Sequence, residues 1–348
     1  MKPFGRGLQV VNPLEVGEWD RLLAERAEGT VFHGSAWAHV LREVFGFTPC
    51  YLADVCSDHM EALLPMMEVK SVLTGIRGVA LPFTDGCEPL GDDRRGANLI
   101  QSALEYGAAR KWRYFECRGG RQYLRDTPVS LSFYTHLLDL TQGAPRLWDG
   151  LESSVRRAVR KAQAQGIKTL VSRTQDSARE FYRLYCMTRK KHGLPPQSWR
   201  FFESVHRHLL SAGHGFMVEA WHDGRVVASN IYFHHGKKAV YKYGASDTQV
   251  QNLRASNLVM WQAIETLARE GFSQLHLGRT SLGNDGLRRF KLGWGVREAK
   301  LEYFKYNFRT GKYITDQDKT QGWHVRLFRL IPSALARPIG TLLYRHVA

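Results

Sequence analysis

The run Glu105-Tyr-Gly-Ala-Ala-Arg-Lys-Trp-Arg-Tyr-Phe-Glu116 has a counterpart in Glu265-Thr-Leu-Ala-Arg-Glu-Gly-Phe-Ser-Gln-Leu-His276. Each reads as a helix passing through a short polar turn into a strand, and each strand ends near Arg118-Gly119 or Gly278-Arg279. What precedes them also corresponds. The first half reads as helices at 18–27 and 36–45, strands at 49–55, 62–69 and 79–83, a helix at 96–111 and a strand at 114–117. The second half reads as helices at 178–192 and 199–212, strands at 216–222, 225–234 and 238–244, a helix at 256–270 and a strand at 274–277. A repeat of about 160 residues implies duplicated domains, not the short period of a solenoid. The 348 residues are also more than one hydrophobic core usually serves.

Between the halves, Gly143, Pro145 and Gly150 give way to a basic helix, Glu152 to Gly166, which places a domain boundary near residue 150. The expected organisation is a domain over 1–150, a second over 151–320 with the better-preserved motifs, and a basic tail over 321–348. No apolar run is long enough to span a bilayer, and the N-terminus has no signal-peptide pattern, so the expected location is cytoplasmic, or peripheral on the inner face of the membrane.

The formal charge of +16 attracts polyanions: nucleic acid, an anionic membrane face, or a phosphorylated substrate. Part of that charge falls on the helix after residue 150. There Arg156 and Arg160 share one face and Arg157 and Lys161 the next, a double basic stripe suited to polyphosphate or to an RNA backbone, or a solvated helix surface. The five cysteines contain no Cys-x-x-Cys pair and the histidines no metal-ligand spacing, so buried thiols and no metal are expected.

The ordered series Tyr241-Lys-Tyr-Gly-Ala-Ser-Asp247, Asn252-Leu-Arg-Ala-Ser-Asn257, the helix from Leu258, and Phe290-Lys-Leu-Gly-Trp-Gly295 resembles the FemAB family of aminoacyl-tRNA-dependent peptidyltransferases. It also resembles the neighbouring acetyltransferases of Gcn5-related N-acetyltransferase (GNAT) fold, including BioF2-like domains. Phe32-His-Gly-Ser-Ala-Trp37 and Leu81-Pro-Phe-Thr-Asp-Gly86 are similar to first-domain motifs of those families. The resemblance covers nearly the whole chain. It implies a mixed α+β fold of two tandem GNAT-like domains, each a mixed sheet flanked by helices, and an acyltransferase acting on an amine of a phosphorylated or lipid-linked envelope precursor.

A strand ending at Tyr243-Gly244 and leading through a polar loop into a helix offers exposed N–H groups to a phosphate or an oxyanion. Acyl-CoA-binding relatives carry (Gln/Arg)-x-x-Gly-x-(Gly/Ala) in that loop; here Gln251-Asn-Leu-Arg-Ala-Ser256 has Arg254 and Ser256 in place of the glycines. Arg254 is expected to contact an anion directly, while Asn252 and Ser256 either bind substrate or cap the helix. The resemblance gives Lys291 a role at acceptor phosphates; the alternative is a surface lysine. Tyr241 and Tyr243, expected to point the same way, are candidates for binding the acceptor or protonating the leaving group, or are core aromatics.

With no nucleophile motif visible, direct attack by the amine is favoured, and Asp85 is the carboxylate named as base, or a turn residue beside Gly86. No tightly bound cofactor is expected; the acyl donor is aminoacyl-tRNA, acyl-CoA or acyl-carrier-protein. An N-acyltransferase in polysaccharide synthesis and a non-catalytic RNA- or membrane-binding module are the competing functions. The tail from Gln321 to Ala348 has no acidic residue, carries Arg326, Arg329, Arg337 and Arg345, and spaces apolar residues from Trp323 to Leu343 at helical intervals. It fits a segment lying on an anionic bilayer, divided at Pro332 and Pro338, or a helix pair packed on the second domain.

Overall fold

The computed structural model describes residues 7–56, 59–316 and 333–346. In chain order come β1 (Gly7–Val11), α1 (Trp19–Ala24), α2 (Ser35–Phe45), β2 (Thr48–Pro49), β3 (Tyr51–Cys56), β4 (His59–Leu64), β5 (Met67–Ser71), β6 (Gly75–Val79), α3 (Asp93–Ala109) and β7 (Tyr114–Arg118). After β8 (Leu131–Asp139) follow α4 (Ala144–Asp149), α5 (Ser153–Ala164), β9 (Lys168–Ser172), α6 (Gln175–Lys191), α7 (Trp199–Val205), β10 (Gly215–His222), β11 (Arg225–His235) and β12 (Lys238–Ser246). The chain continues through α8 (Ala255–Arg269), β13 (Gln274–Ser281), α9 (Asp285–Leu292), β14 (Arg297–Asn307), β15 (Lys312–Ile314) and α10 (Ser333–Tyr344). The architecture is mixed α+β, sheets flanked by helices. The described residues group into two compact units, one of residues 7–133, 300–316 and 343–346, the other of 134–299 and 333–342.

In the first unit β1, β3 and β4 make a small antiparallel sheet. A second sheet pairs β2 with β5, β5 with β6, β7 with β14 and β14 with β15 antiparallel, while β6 and β7 run parallel. The single strand expected at 62–69 is therefore two. Pro65 has no N–H to continue a ladder, so Leu64 pairs with Leu52 in one sheet and Met67 with Val79 in the other. The strand expected to reach Phe83 ends at Val79, because Leu81 and Phe83 adopt left-handed conformations (φ 54° and 61°) that no strand accepts. Helix α3 starts where the Asp92 carboxylate accepts from the Arg95 amide at 2.7 Å. It buries Leu99, Ile100 and Ala103 against Leu52, Leu64, Trp112 and Phe115.

In the second unit β9, β10, β11 and β12 are antiparallel neighbours and β13 runs parallel to β12. That last ladder ends at Val240 and His276, although both strands continue, so their C-terminal ends part. The core lies where α5 and α8 cover the sheet, with Val155, Val159, Leu258, Val259 and Ile264 packed on Phe216, Val218, Tyr232 and Leu275. Among the cysteines, Cys50, Cys87, Cys117 and Cys186 are buried free thiols, but Cys56, at the end of β3, is exposed. Helix α10 runs through Pro338, where a break was expected. The tail from 321 to 332, including Trp323, lies outside the described residues.

Glu68 on β5 is a buried carboxylate clamped by Arg110 (2.9 and 2.8 Å) and by the Trp112 indole N–H (2.8 Å). Burial pushes its pKa up, but the hydrogen bonds from Arg110 and Trp112 and the charge of Arg110 outweigh it and hold the group at about 2. A depressed carboxyl stabilises the fold above its unfolded pKa, and that stability is lost as pH falls towards the folded value. Thermal unfolding followed from pH 6 to about pH 2 should show a falling Tm over the acid range. Glu68→Gln should remove about 1–3 kcal/mol at neutral pH and flatten that acid limb; an unaltered pH profile in the variant would contradict the assignment.

Candidate functional site

Helix α5 owes its placement to an apolar stripe and a glycine. Val155, Val159 and Ala162 are buried at helical spacing. At the entry, the Glu152 amide donates to the Gly293 carbonyl at 3.0 Å. A Cβ on Gly293 would sit 2.8 Å from Val155 Cγ2, so only glycine permits this approach. Trp294, 1% exposed, anchors the same turn in the core. The Gly293-Trp294-Gly295 sequence thus joins α9 to α5.

With the stripe turned inward, the two basic pairs of α5 part company. Arg156 donates to the Asp149 and Leu151 carbonyls (2.7 and 2.8 Å), and Arg160 lies over the Trp148 ring at 5.6 Å. Arg157 and Lys161 instead line a cleft of about 620 Å³. Arg254 and Asn257 at the start of α8 and Gly286, Arg289 and Phe290 of α9 complete it, so four cations face one carboxylate, Glu152.

The N-terminus of α8 opens on this cleft. After the 3-10 turn Gln251–Leu253, Arg254 takes a left-handed conformation (φ 60°, ψ 22°), the geometry a glycine would supply. No side chain caps the helix. Asn252 and Ser256 are therefore not caps, and neither lines the cleft. Four cations converging on an uncapped helix start make an anion-binding arrangement, since first-turn amides and the helix dipole both favour negative charge.

Helix α9 is held on its other side. Arg288 grips Glu298 with two bonds (2.9 and 2.7 Å), lies 4.1 Å over the Tyr134 ring, and Glu298 also pairs with fully buried His136 at 3.0 Å. Burial and the neighbouring Lys291 charge hold the His136 imidazole below its ordinary range. The bond from Arg288 lowers Glu298. Lys291, 3% exposed, lies on α9 and donates to the Gly278 and Arg279 carbonyls at 2.9 Å each. It does not line the cleft, but it fixes the helix that presents Arg289 and Phe290 to it.

Tyr241 and Tyr243 do not point the same way. The register between β11 and β12 shifts so that Ile231 faces Tyr243 but Tyr232 faces Tyr241, leaving Lys242 as a bulge. Tyr241 packs on Tyr232 in the core beneath α8, where burial pushes its phenol up to about 12, and Tyr243 packs on Phe181 and Phe202 of α6 and α7. Neither lines the cleft.

Asp85 belongs to the first unit, in the Leu81–Gly86 loop. Leu81 accepts hydrogen bonds from Thr84 Oγ1 (2.8 Å) and from the buried Arg118 guanidinium (3.0 Å), and the Asp85 carbonyl accepts from the Tyr303 hydroxyl. Two left-handed non-glycine residues at about 1–3 kcal/mol each persist only because such contacts over-determine the loop. Asn257 stands in a quoted motif but was given no role, and Arg289, His136 and Glu298 went unnoticed in the sequence. Of these three, only Arg289 adjoins a motif that could have flagged it.

Residues 151–300 match the family model of an acetyltransferase (GNAT) domain. By that match this segment is similar to GNAT domains. The enzyme is accordingly an acyltransferase by class. Solved structures similar to the chain include FemX, with a TM-score of 0.67 at 14% identity over 85% of this chain and 96% of that one. The C-terminal domain of a provisionally named lysylphosphatidylglycerol synthetase from Agrobacterium fabrum follows at 0.55 and 12%, over 84% and 90%. A tandem GNAT protein from the clavulanic acid biosynthesis pathway gives 0.52 and 11%, over 86% and 98%. At these identities the likeness is one of fold. No curated protein matches the sequence.

Two substitutions separate support from contact. Lys291→Met should lower stability by about 1–3 kcal/mol, because it strips two carbonyls of a charged donor. Arg254→Gly should leave stability unchanged or raised by about 1 kcal/mol through relief of the left-handed arginine, yet weaken pyrophosphate binding several-fold. Calorimetry and titration with inorganic pyrophosphate read both; equal affinity in Arg254→Gly would remove Arg254 from the anion site.

Proposed function

We propose that the protein transfers an acyl or aminoacyl group to an amine of a phosphorylated or lipid-linked envelope precursor, with the phosphates of one substrate held by Arg157, Lys161, Arg254 and Arg289. The observation that carries this is the cleft itself, which those cations share with the uncapped start of α8. The donor is an activated ester or thioester. The amine nitrogen attacks its carbonyl carbon, the new C–N bond forms, the C–O or C–S bond breaks, and the amine loses a proton. That proton ends on the departing oxygen or sulfur.

Aminoacyl-tRNA is the favoured donor. Arg254 keeps the backbone shape of a glycine turn but adds a long cationic side chain, which suits a ribose-phosphate end better than a pyrophosphate pressed against bare backbone. The similarity in fold to FemX and to a protein named for making lysylphosphatidylglycerol, a lipid that carries an aminoacyl ester, agrees with this reading.

Purified enzyme offered labelled aminoacyl-tRNA, acyl-CoA and acyl-carrier-protein in parallel, with amine-bearing envelope precursors as acceptors, tests the proposal. Transfer should occur from aminoacyl-tRNA, and Arg157→Ala/Arg289→Ala should raise the KM for the phosphate-bearing substrate at least tenfold with little change in Tm. Transfer from acyl-CoA alone would replace the donor, and no transfer from any of the three would refute the activity.

A further inference from the structure

One end of the second sheet of the first unit gathers features that acyl transfer does not use. The turn between β5 and β6 raises Val72 and Leu73, which are 94% and 69% exposed and adjacent. Ser71 Oγ accepts from the Leu73 and Thr74 amides at 3.1 and 3.0 Å, so the tip is a formed turn. The Arg113 side chain lies across Gly75 and donates to the Thr74 carbonyl at 3.1 Å. Arg113 also ties this turn to the next one, because its amide bonds the Ile76 carbonyl (2.8 Å) and its carbonyl accepts from Phe308 (3.1 Å), where the β14–β15 turn begins. The chain end comes to the same place: His346 meets Ser71 at 2.9 Å and its carbonyl accepts from Arg77 at 2.9 Å.

The charge here is one-sided. Lys111, Arg113, Arg309, Lys312 and Arg345 lie in or next to the segments that meet at this end, whereas residues 69–84 and 308–315 contain no carboxylate. The nearest acids along these strands already hold partners, Glu68 with Arg110 and Lys70, Glu116 with Arg118 and Lys305, and Asp316 with Lys305. Two exposed aliphatic side chains on a turn, joined by cation-bearing segments that are free of acids, fit a surface that is apolar below and anionic above.

We propose that this end of the first unit is a membrane-docking face, on which Val72 and Leu73 enter an anionic leaflet while the surrounding lysines and arginines engage lipid phosphates. The inference does not depend on which acyl donor is used, and it differs from docking through the tail. Sedimentation of the full chain with phosphatidylglycerol–phosphatidylcholine vesicles, and with phosphatidylcholine alone, measures it. Wild type should pellet with the anionic vesicles only, and less so at high salt. Val72→Asp/Leu73→Asp should cut partitioning at least tenfold at unchanged Tm, and Arg309→Ala/Lys312→Ala by about twentyfold at about fivefold per cation. Equal binding of Val72→Asp/Leu73→Asp and wild type would overturn the proposal and leave the tail as the anchor. So would binding to neutral vesicles as strong as to anionic ones, or no binding at all. If the Asp variant instead abolished self-association seen by analytical ultracentrifugation, with vesicle binding intact, the face would be a contact between copies and the proposal would fall.

Discussion

The contact between α5 and the α8–α9 elements, closed at Gly293, is the constraint on which the candidate site rests. Burying the stripe of Val155, Val159 and Ala162 leaves a four-residue basic run no choice of direction. One pair is absorbed by local carbonyls and by Trp148, and the other is delivered to the cleft. Packing here sets electrostatics: Arg157 and Lys161 share a cleft with Arg254 and Arg289 because an apolar stripe dictates the rotation of the helix. The grip of Arg288, Glu298, His136 and Lys291 on α9 does the same for Arg289 from the opposite side.

The two units hold their candidate site residues differently. In the second, charge is assembled from three helices around one helix start. In the first, a short loop is forced through two left-handed residues and braced by Arg118, Thr84 and Tyr303. The cleft keeps three cations when one is replaced, whereas the loop has no such redundancy, because each brace holds backbone that would otherwise relax.

Much of this was legible in the sequence because it depends on period. The i, i+4 logic of the basic helix separated Arg156 and Arg160 from Arg157 and Lys161 correctly, and the odd arginine at position 254 marked the turn before α8. What stayed hidden depends on tertiary partners. The bulge at Lys242 reversed the relation between Tyr241 and Tyr243 without any glycine or proline to announce it. Edge strand β9 and the charged strand β14 show little apolar alternation, since β9 is largely exposed and β14 meets its charges with partners far away in sequence, such as Glu302 with Arg121. That Lys291 is buried follows from two carbonyls on β13 that no local pattern reveals.

Strand β14 carries one further implication. It pairs with β7, yet more than 170 residues of chain separate Arg118 from Tyr303, its partner in the ladder. During synthesis the sheet of the first unit therefore waits, with the outer side of β7 unpaired, until residues 134–299 of the second unit have been made. The usual order of vectorial folding, N-terminal part first, is inverted. The segment translated last but one completes the part translated first, and a nascent chain halted before residue 297 would expose an open β edge, just the kind of surface that chaperones and neighbouring nascent chains capture.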